Sequence, residues 1–220
     1  VELIEISGTL DWPRLSEAAE AHGQTVFEGR TIRFDASSGQ PLLLLGGGSG
    51  PFEGTASTDI GSARFSGTAS FAPGGFLSGT IDLQARDLPA ALRWAAVDPA
   101  VMDGVSSASA SARIIADKDE VRFEDLALGL NEERATGLLE LDTPATGRPK
   151  LAGTLAFDHI DFLKLLASIE PAVGMDREEL PSLVRTLDMD LRLSAQVASL
   201  GAIQLRDVAL GLMNMPQQFR

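Results

Sequence analysis

Few side chains in this sequence are suited to catalysis or metal binding. The two His residues are His22 and His159, and there is no Cys. Asp158, His159 and Asp161 could each offer a metal ligand, but their spacing matches no common ligand pattern and no second His is near. If this segment is a strand, Asp158 and His159 point to opposite faces of the sheet. We therefore predict no metal here and expect Asp161 to cap a helix.

Three other stretches invite a chemical interpretation. Residues 46–50 are Gly-Gly-Gly-Ser-Gly, but a phosphate loop would continue with Lys, and no Lys follows. Residues 117–120 lack the Gly and the distant Glu of a calcium loop, which favours a solvated turn. No Gly-x-Ser-x-Gly motif is present, and although the many carboxylates leave a glycosidase pair open by number, no two stand at a recognisable site. We predict that the chain is not an enzyme and binds no cofactor or metal.

Composition restricts the partners. The chain has 220 residues, with 31 acidic and 18 basic residues and a net charge of −13. This balance argues against a nucleic-acid partner, which needs a basic surface, and against charge-driven docking on an anionic membrane. Hydrophobic residues make up 44% of the chain, which is enough for a folded core. No apolar run reaches the length of about 18 residues that a membrane-spanning helix requires.

Most of the chain alternates apolar and other residues, which predicts strands with one buried face. Gly54-Thr, Gly67-Thr and Gly79-Thr open three segments at a spacing typical of consecutive antiparallel strands. The predicted fold class is mainly β with short helices (α+β): a long twisted, mostly antiparallel sheet with helices at its edge or across one end. The predicted strands lie in Val1–Asp11, Thr25–Ala36, Phe52–Phe71, Ser106–Ala116, Val121–Leu130, Leu138–Asp142, Leu151–Asp158, Leu187–Ala195 and Leu205–Leu212.

Short helices are expected at three places. Pro13–Ala21 has Pro at an early position and is followed by Gly23 as a stop signal. Asp87 and Asp161 each precede a short apolar run, and an Asp there accepts a hydrogen bond from a free N–H of the first turn. The residues expected to line one side of the second and third helices are Leu88, Leu92, Ala95, Phe162, Leu165, Leu166 and Ile169.

Two stretches occur twice in the same order. Gly79–Leu92 is echoed by Gly153–Leu166, and Phe123–Leu130 is echoed by Leu205–Leu212, with Asp-x-Ala-Leu-Gly-Leu in both copies. We predict two repeat units that superpose as strand, short helix and paired strands, with the surplus residues of the second in or near Ser168–Leu183. The predicted domains are an N-terminal β-rich module (1–75), a first repeat (76–150) and a second repeat truncated at its C-terminal end (151–220), joined in one sheet.

The apolar positions change parity within two predicted strands. In Val121–Leu130 they change from odd to even, and in Ile203–Leu212 they change in the same way. One face can stay apolar across such a change only if the strand contains an extra residue. We therefore predict β-bulges near Asp125 and Asp207.

The apolar faces of the later strands are candidates for a lipid site. Side chains of this kind could form an open groove for acyl chains or an ordinary core beneath helices, and the residues alone leave both interpretations open. The groove candidates are Leu126, Leu128, Leu130, Leu191, Leu193, Val208, Leu210 and Leu212.

Several stretches resemble the AsmA family of bacterial envelope proteins. They are residues 10–15 (Leu-Asp-Trp-Pro-Arg-Leu), 25–34, 65–70 (Phe-Ser-Gly-Thr-Ala-Ser) and 150–161. The last is the most telling, because a strand with Gly-Thr-Leu-Ala-Phe-Asp-x-x-Asp before a short Leu-rich helix recurs in these proteins. The resemblance covers most of the chain, from about Leu10 to Leu212, and consists of packing patterns rather than a catalytic motif.

The resemblance implies a compartment and a class of ligand. Members of the family are typically held in the bacterial inner membrane by one N-terminal helix, with the rest in the periplasm, and are tied to outer-membrane biogenesis and phospholipid movement. They are similar to bridge-like lipid-transfer proteins, whose strands and helices form a groove with an apolar floor. The chain would be a non-enzymatic periplasmic segment that binds phospholipid or fatty acyl chains, with its membrane anchor outside this sequence. The alternative is an assembly module that binds other envelope proteins through its sheet edges.

The ends of the sequence carry one further expectation. Val1 lies within a predicted strand, and few residues follow Leu205–Leu212, so we expect a piece of a longer protein. The strand at Leu205–Leu212 would then have no partner on its far side. We expect an open edge that either pairs with another chain or ends in a frayed C-terminal tail.

Overall fold

One sheet of twelve strands, hydrogen-bonded in the order of the sequence, contains most of the residues that the structure describes. The computed structural model describes residues 4–95, 99, 104–161 and 188–214. The strands are β1 (Ile4–Asp11), β2 (Ala19–Phe27), β3 (Arg30–Ser38), β4 (Ser49–Ser57), β5 (Gly61–Ser70), β6 (Leu77–Ala85), β7 (Ala108–Ala116), β8 (Glu120–Leu130), β9 (Glu133–Asp142), β10 (Lys150–Asp161), β11 (Asp188–Leu200) and β12 (Ile203–Asn214). The helices are α1 (Pro41–Leu45), between β3 and β4, and α2 (Leu88–Trp94), between β6 and β7.

The predicted mainly-β, mostly antiparallel architecture is confirmed. Every neighbouring pair of strands is antiparallel except β10 and β11, which are parallel. The sheet continues through residues 75 and 150, because β5 pairs with β6 and β9 pairs with β10. The functional division of the chain at these two positions stays a prediction.

The helix predicted at Pro13–Ala21 is wrong. The segment contains a turn closed by the bond from the Glu17 N–H to the Arg14 carbonyl at 2.9 Å, and β2 already begins at Ala19. Ala19 is buried while Glu20 is exposed, so the alternation of a strand is present here. Pairing with β1 and β3 therefore outweighs the local helix signals of Pro13 and Gly23.

The helix predicted after Asp87 is confirmed. Asp87 is the N-cap of α2, and its Oδ1 accepts a hydrogen bond from the Ala90 N–H at 2.9 Å. Leu88 and Ala90 are buried. Asp161 is the last residue of β10, so the helix predicted after it, with Phe162, Leu165, Leu166 and Ile169, lies outside the described residues, as does the surplus at Ser168–Leu183.

The two sequence repeats do not superpose as predicted. In the first copy the strand after the helix, β7, runs antiparallel to β6. In the second copy the corresponding strand, β11, runs parallel to β10, so β12 is antiparallel to β10 whereas β8 is parallel to β6. A parallel pair needs a connection of about a dozen residues or more, and residues 162–187 are long enough for one. The similar sequences of corresponding strands in the two copies do not indicate whether a strand runs parallel or antiparallel to its neighbour.

The bulge predicted at Asp125 is confirmed, and the one predicted at Asp207 is wrong. Asp125 has φ +50°, and the register of β8 shifts there against both neighbours. Asp207 has φ +52°, but β11 and β12 keep one register throughout. The reason lies in β11, where Ala195 and Ala198 are both buried although they are three residues apart. Both strands change parity together, so no extra residue is needed.

The densest packing lies on one face of β7–β11. Its buried residues are Ala112, Leu126, Ala135, Leu155, Phe157 and Ala195. Ile81, Ala110, Phe123, Leu128, Leu139, Ile160 and Leu193 pack against them. The core is therefore a layer of small and branched side chains along the sheet.

Candidate functional site

Apolar residues form continuous rows across the sheet on the face that contains the core. Each row follows the residues that lie directly opposite one another on successive strands. Row A crosses all twelve strands: Gly8, Gly23, Phe34, Ala56, Ala63, Leu83, Ala110, Leu128, Ala135, Phe157, Ala195 and Val208. No member of row A carries a polar side chain.

Two parallel rows have the same character. Row B is Leu10, Ala21, Ala36, Gly54, Phe65, Ile81, Ala112, Leu126, Gly137, Leu155, Leu193 and Leu210, with the β8 bulge between Ala112 and Leu126. Row C crosses β4–β12: Phe52, Gly67, Gly79, Ile114, Phe123, Leu139, Gly153, Leu191 and Leu212. At about 4.8 Å per strand, rows A and B are about 50 Å long.

The opposite face is different in character. On that face one row of residues lies between rows A and B, and we call it the outer row. From β5 to β12 it consists of small or polar residues, and all of them are exposed. Its members are Arg64, Asp82, Ser111, Ala127, Thr136, Ala156, Ser194 and Ala209. The sheet therefore has one apolar face and one face suited to water.

The eight predicted groove residues lie together on the apolar face. Seven belong to the rows, and Leu130 lies beside row A, opposite Ala108 and Glu133. Leu126 is only 3% exposed and belongs to the core, whereas the other seven are half-buried. Leu126 is therefore covered by its neighbours, and the other seven keep some accessible surface.

Sequence reasoning missed the N-terminal half of this face. Phe34, Phe65, Ile81 and Leu83 lie in rows A and B. Of their strands, β5 alternates only weakly because Gly and Ala occupy its other inward positions. The available signal was the set of Gly-Thr segments, which predicted the strands but not which face was apolar.

Helix α2 covers part of the apolar face and borders an open cavity of about 500 Å³. The Trp94 Nε1–H donates to the Phe27 carbonyl at 3.3 Å, and the two rings meet edge to face with centroids 5.4 Å apart. These contacts hold the end of α2 against β2. The apolar side chains that line the cavity are Ile32, Ala56, Ile60, Ala63, Leu83, Ala85, Ala91, Trp94, Ala108, Ala110 and Leu128.

Helix α1 covers the apolar face nearer the N-terminus. Leu44 is 6% exposed, and with Trp12 and Phe71 it lines a smaller cavity of about 220 Å³. Phe52 and Phe71 meet edge to face at 5.3 Å. The Trp12 Nε1–H is buried and has no partner among the described residues. Both helices therefore lie on the same side of the sheet, above rows A and B.

Arginine side chains lie beside the cavity under α2. Arg86 donates from Nη2 to the carbonyl of Thr58, a lining residue, at 2.5 Å. Arg30 Nη1 lies 2.5 Å from Asp59 Oδ2, and this hydrogen bond lowers the pKa of Asp59 below its usual value. Among the residues that the structure describes, Arg86 has no carboxylate within ion-pair distance. A guanidinium group without an ion-pair partner among the described residues therefore lies beside the lining residue Thr58.

The structure connects His159 to residues that sequence reasoning did not single out. Its Nδ1 lies 3.2 Å from Glu133 Oε1, and its Nε2 lies 3.3 Å from the Ser199 hydroxyl. Ser199 lies within β11, which is paired on both sides, so its backbone N–H faces the sheet ladder rather than an oxyanion. The order Glu–His–Ser resembles a nucleophilic triad, but the strand geometry favours a cross-strand hydrogen-bond chain.

Two acidic clusters have structural partners. Carboxylate oxygens of Glu120, Glu140 and Asp142 lie within 4.8 Å of one another. Arg122 offsets part of this charge, at 2.7 Å from Glu120 and 3.3 Å from Glu140, and these carboxylates raise its pKa. In residues 117–120, Asp117 Oδ1 accepts two backbone N–H groups at 2.9 Å, which confirms the predicted turn.

Comparison with known proteins identifies no relative. No protein-family model, no curated protein and no solved structure matches this chain. Within the described residues, neither helix has the length and apolarity needed to cross a membrane.

Proposed function

We propose that this chain is a non-enzymatic, AsmA-like module that binds lipid acyl chains along its apolar face. The observation that supports this most is the continuity of rows A and B across all twelve strands, without one polar side chain. A protein that needed only a core would gain little from an apolar track about 50 Å long, and the two helices over it among the described residues consist of only twelve residues.

The mechanism is passive solvation. Each Å² of acyl chain removed from water against the rows contributes about 25 cal/mol, and the polar head group stays in solvent. The rows form the floor of a groove, and the helices form part of its cover. No charged side chain interrupts rows A and B, so a bound chain meets no desolvated charge along the track.

The proposed setting follows from the AsmA resemblance at residues 10–15, 25–34, 65–70 and 150–161. In that setting the module is periplasmic, its membrane anchor lies elsewhere in the full-length protein, and its role is in outer-membrane biogenesis. The net charge of −13 argues against charge-driven docking on an anionic membrane. It fits a ligand that is held by its apolar part.

A charge placed in row B tests this proposal. Leu193→Asp introduces a carboxylate where a lipid chain would lie, at a cost of several kcal/mol unless the charge is paired. We expect the lipid-to-protein ratio in organic extracts to fall several-fold. Ser194→Asp is the matched control, because Ser194 is the next residue and belongs to the exposed outer row. Equal lipid content in the two folded variants would contradict the proposal.

A second candidate function is assembly with other envelope proteins through the sheet edges. Strand β12 is at the end of the strand order and pairs only with β11 among the described residues. Ile203 and Leu205 on this strand are 59% and 44% exposed. An edge of this kind can add a strand from another chain.

A further inference from the structure

The cavity under α2 differs from the rest of the apolar face because helix α2 borders it and Arg86 lies beside it, donating to the carbonyl of the lining residue Thr58. Its volume of about 500 Å³ lies in the range of sites for small ligands. The inner surface is almost wholly apolar, so the guanidinium of Arg86 is the charged group placed next to it. Such a division suits a ligand with one long apolar part and one polar end.

The charge at the rim indicates the sign of that polar end. The Arg86 guanidinium has five N–H donors, and the contacts to the carbonyls of Thr58 and Asp59 use only part of them. Arg30 is already paired with Asp59. In a chain with a net charge of −13, Arg86 is therefore a local site of positive charge beside an apolar cavity.

We propose that this cavity binds one long-chain fatty acid, with the chain between α2 and row A and the carboxylate at Arg86. This inference rests on the proposed lipid-binding function and names the ligand of one part of it. A guanidinium matches a carboxylate geometrically, with two parallel N–H···O bonds. This cavity, with the guanidinium of Arg86 beside it, fits one chain and one anionic group, whereas a diacyl lipid brings two chains.

Trp94 makes the first test direct. The sequence has two Trp residues, and Trp12 lies in the other cavity. In a Trp12→Phe background all indole emission comes from Trp94, which lines the proposed site. Trp12 donates no hydrogen bond within the described residues, so this change removes none. We expect brominated hexadecanoate to quench the fluorescence of Trp94 by contact. The quenching should saturate, and hexadecanoate without bromine should reverse it.

The second test concerns Arg86. In Arg86→Gln we expect the Kd for hexadecanoate to rise about tenfold, which is the effect of losing one charge-assisted hydrogen bond. Hexadecanol has the same chain without the charge, so its Kd should stay within about twofold, which also shows that the cavity is intact. Arg86→Lys should restore part of the affinity for the acid. Arg64→Gln, on the exposed outer row, should leave the affinities for both ligands unchanged.

The possible results separate this inference from the proposed function. If Trp94 is not quenched although extracts contain lipid that Leu193→Asp depletes, the fatty-acid site is wrong and the lipid-binding face stands. Equal loss of acid and alcohol binding in Arg86→Gln, or tighter binding of a diacyl phospholipid than of hexadecanoate, also overturns the site. If no lipid is extracted and no ligand binds, both proposals fail.

Discussion

Some positions on row B do not accept a side chain larger than that of glycine, because the backbones of adjacent strands approach closely there. A Cβ built at Gly137 would lie 1.9 Å from the Thr154 carbonyl oxygen on β10. No side chain fits at that distance without moving one strand. Gly137 is therefore required by contact between backbones and not by a turn.

Replacing this glycine should destabilise the sheet. We expect Gly137→Ala to lower the free energy of unfolding by roughly 2–3 kcal/mol, because β9 or β10 must shift. Gly211→Ala is the matched control, since a Cβ there would meet no atom within 4 Å. Its effect should stay within about 0.5 kcal/mol. Urea denaturation measures both, and equal midpoints for the two variants would refute the steric explanation.

The ion pair between His22 and Asp35 gives a pH dependence whose sign can be stated. The two side chains meet at 2.6 Å, which raises the pKa of His22 above 6.5 and lowers that of Asp35 below 3.8. The His22 contribution to stability is complete below pH 6.5 and is lost as pH rises through its folded-state pKa. The Asp35 contribution is present above pH 3.8 and is lost as pH falls through its folded-state pKa.

Titration of the imidazole protons by NMR checks this pair. We expect the His22 pKa to lie above 6.5 and to return toward 6.5 in Asp35→Asn, because the hydrogen bond to Asp35 is the largest cause of the shift. His159 is the only other His and serves as an internal control. A His22 pKa that does not respond to Asp35→Asn would contradict the proposed cause.

Among the elements, the last strand is where we expect self-association. Among the described residues β12 pairs with β11 alone, and an edge with exposed apolar side chains pairs readily with another chain. We expect the molar mass from light scattering to rise with protein concentration, and Leu205→Lys to suppress that rise because Lys blunts strand edges.

The control for the edge comes from an inner strand. Leu138 on β9 is 43% exposed, close to the 44% of Leu205, but β9 is paired on both sides. Leu138→Lys should therefore leave the self-association unchanged. A strictly monomeric wild-type chain at high concentration would show that this edge is not adhesive.

Local pattern predicted the elements better than their directions. Asp125 and Asp207 occur in the same sequence phrase and adopt nearly the same left-handed conformation, since that choice is made within a few residues. The direction of β11 relative to β10 depends on the long connection between them, which the repeated residues do not include. The prediction that the two copies superpose was therefore wrong. At Ala19 and Ala21, strand pairing outweighed the local helix signals. The local sequence could not indicate this pairing, because the partner residues lie on other strands.

Only the C-terminal half of the candidate site was predicted from the sequence. The later strands alternate Leu with small or polar residues, and this alternation placed Leu193 and Leu210 correctly on one face. Phe65 was missed because the other inward positions of β5 are glycine and alanine, and Phe34 because no pattern indicated which face of β3 joins the later strands. The cavity under α2 depends on contact between Trp94 and Phe27, which are 67 residues apart, so no local pattern could indicate it.

For the molecule as a whole, the consistent feature is the difference between the two faces of one sheet. Rows A, B and C hold glycine and apolar residues, whereas the outer row holds exposed small and polar residues. Both helices lie on the apolar side. A chain with a charge of −13 that keeps such a track free of charge is suited to an apolar ligand of extended shape.

Mass spectrometry of organic extracts from the wild-type protein, purified without detergent, tests this central claim most directly. The account predicts that phospholipid or fatty acid copurifies at a substantial fraction of one mole per mole of protein. It also predicts that an unrelated acidic protein purified alongside contains none. Extracts free of lipid, from protein that also fails to bind added hexadecanoate, would contradict the acyl-chain account and favour assembly through the sheet edges.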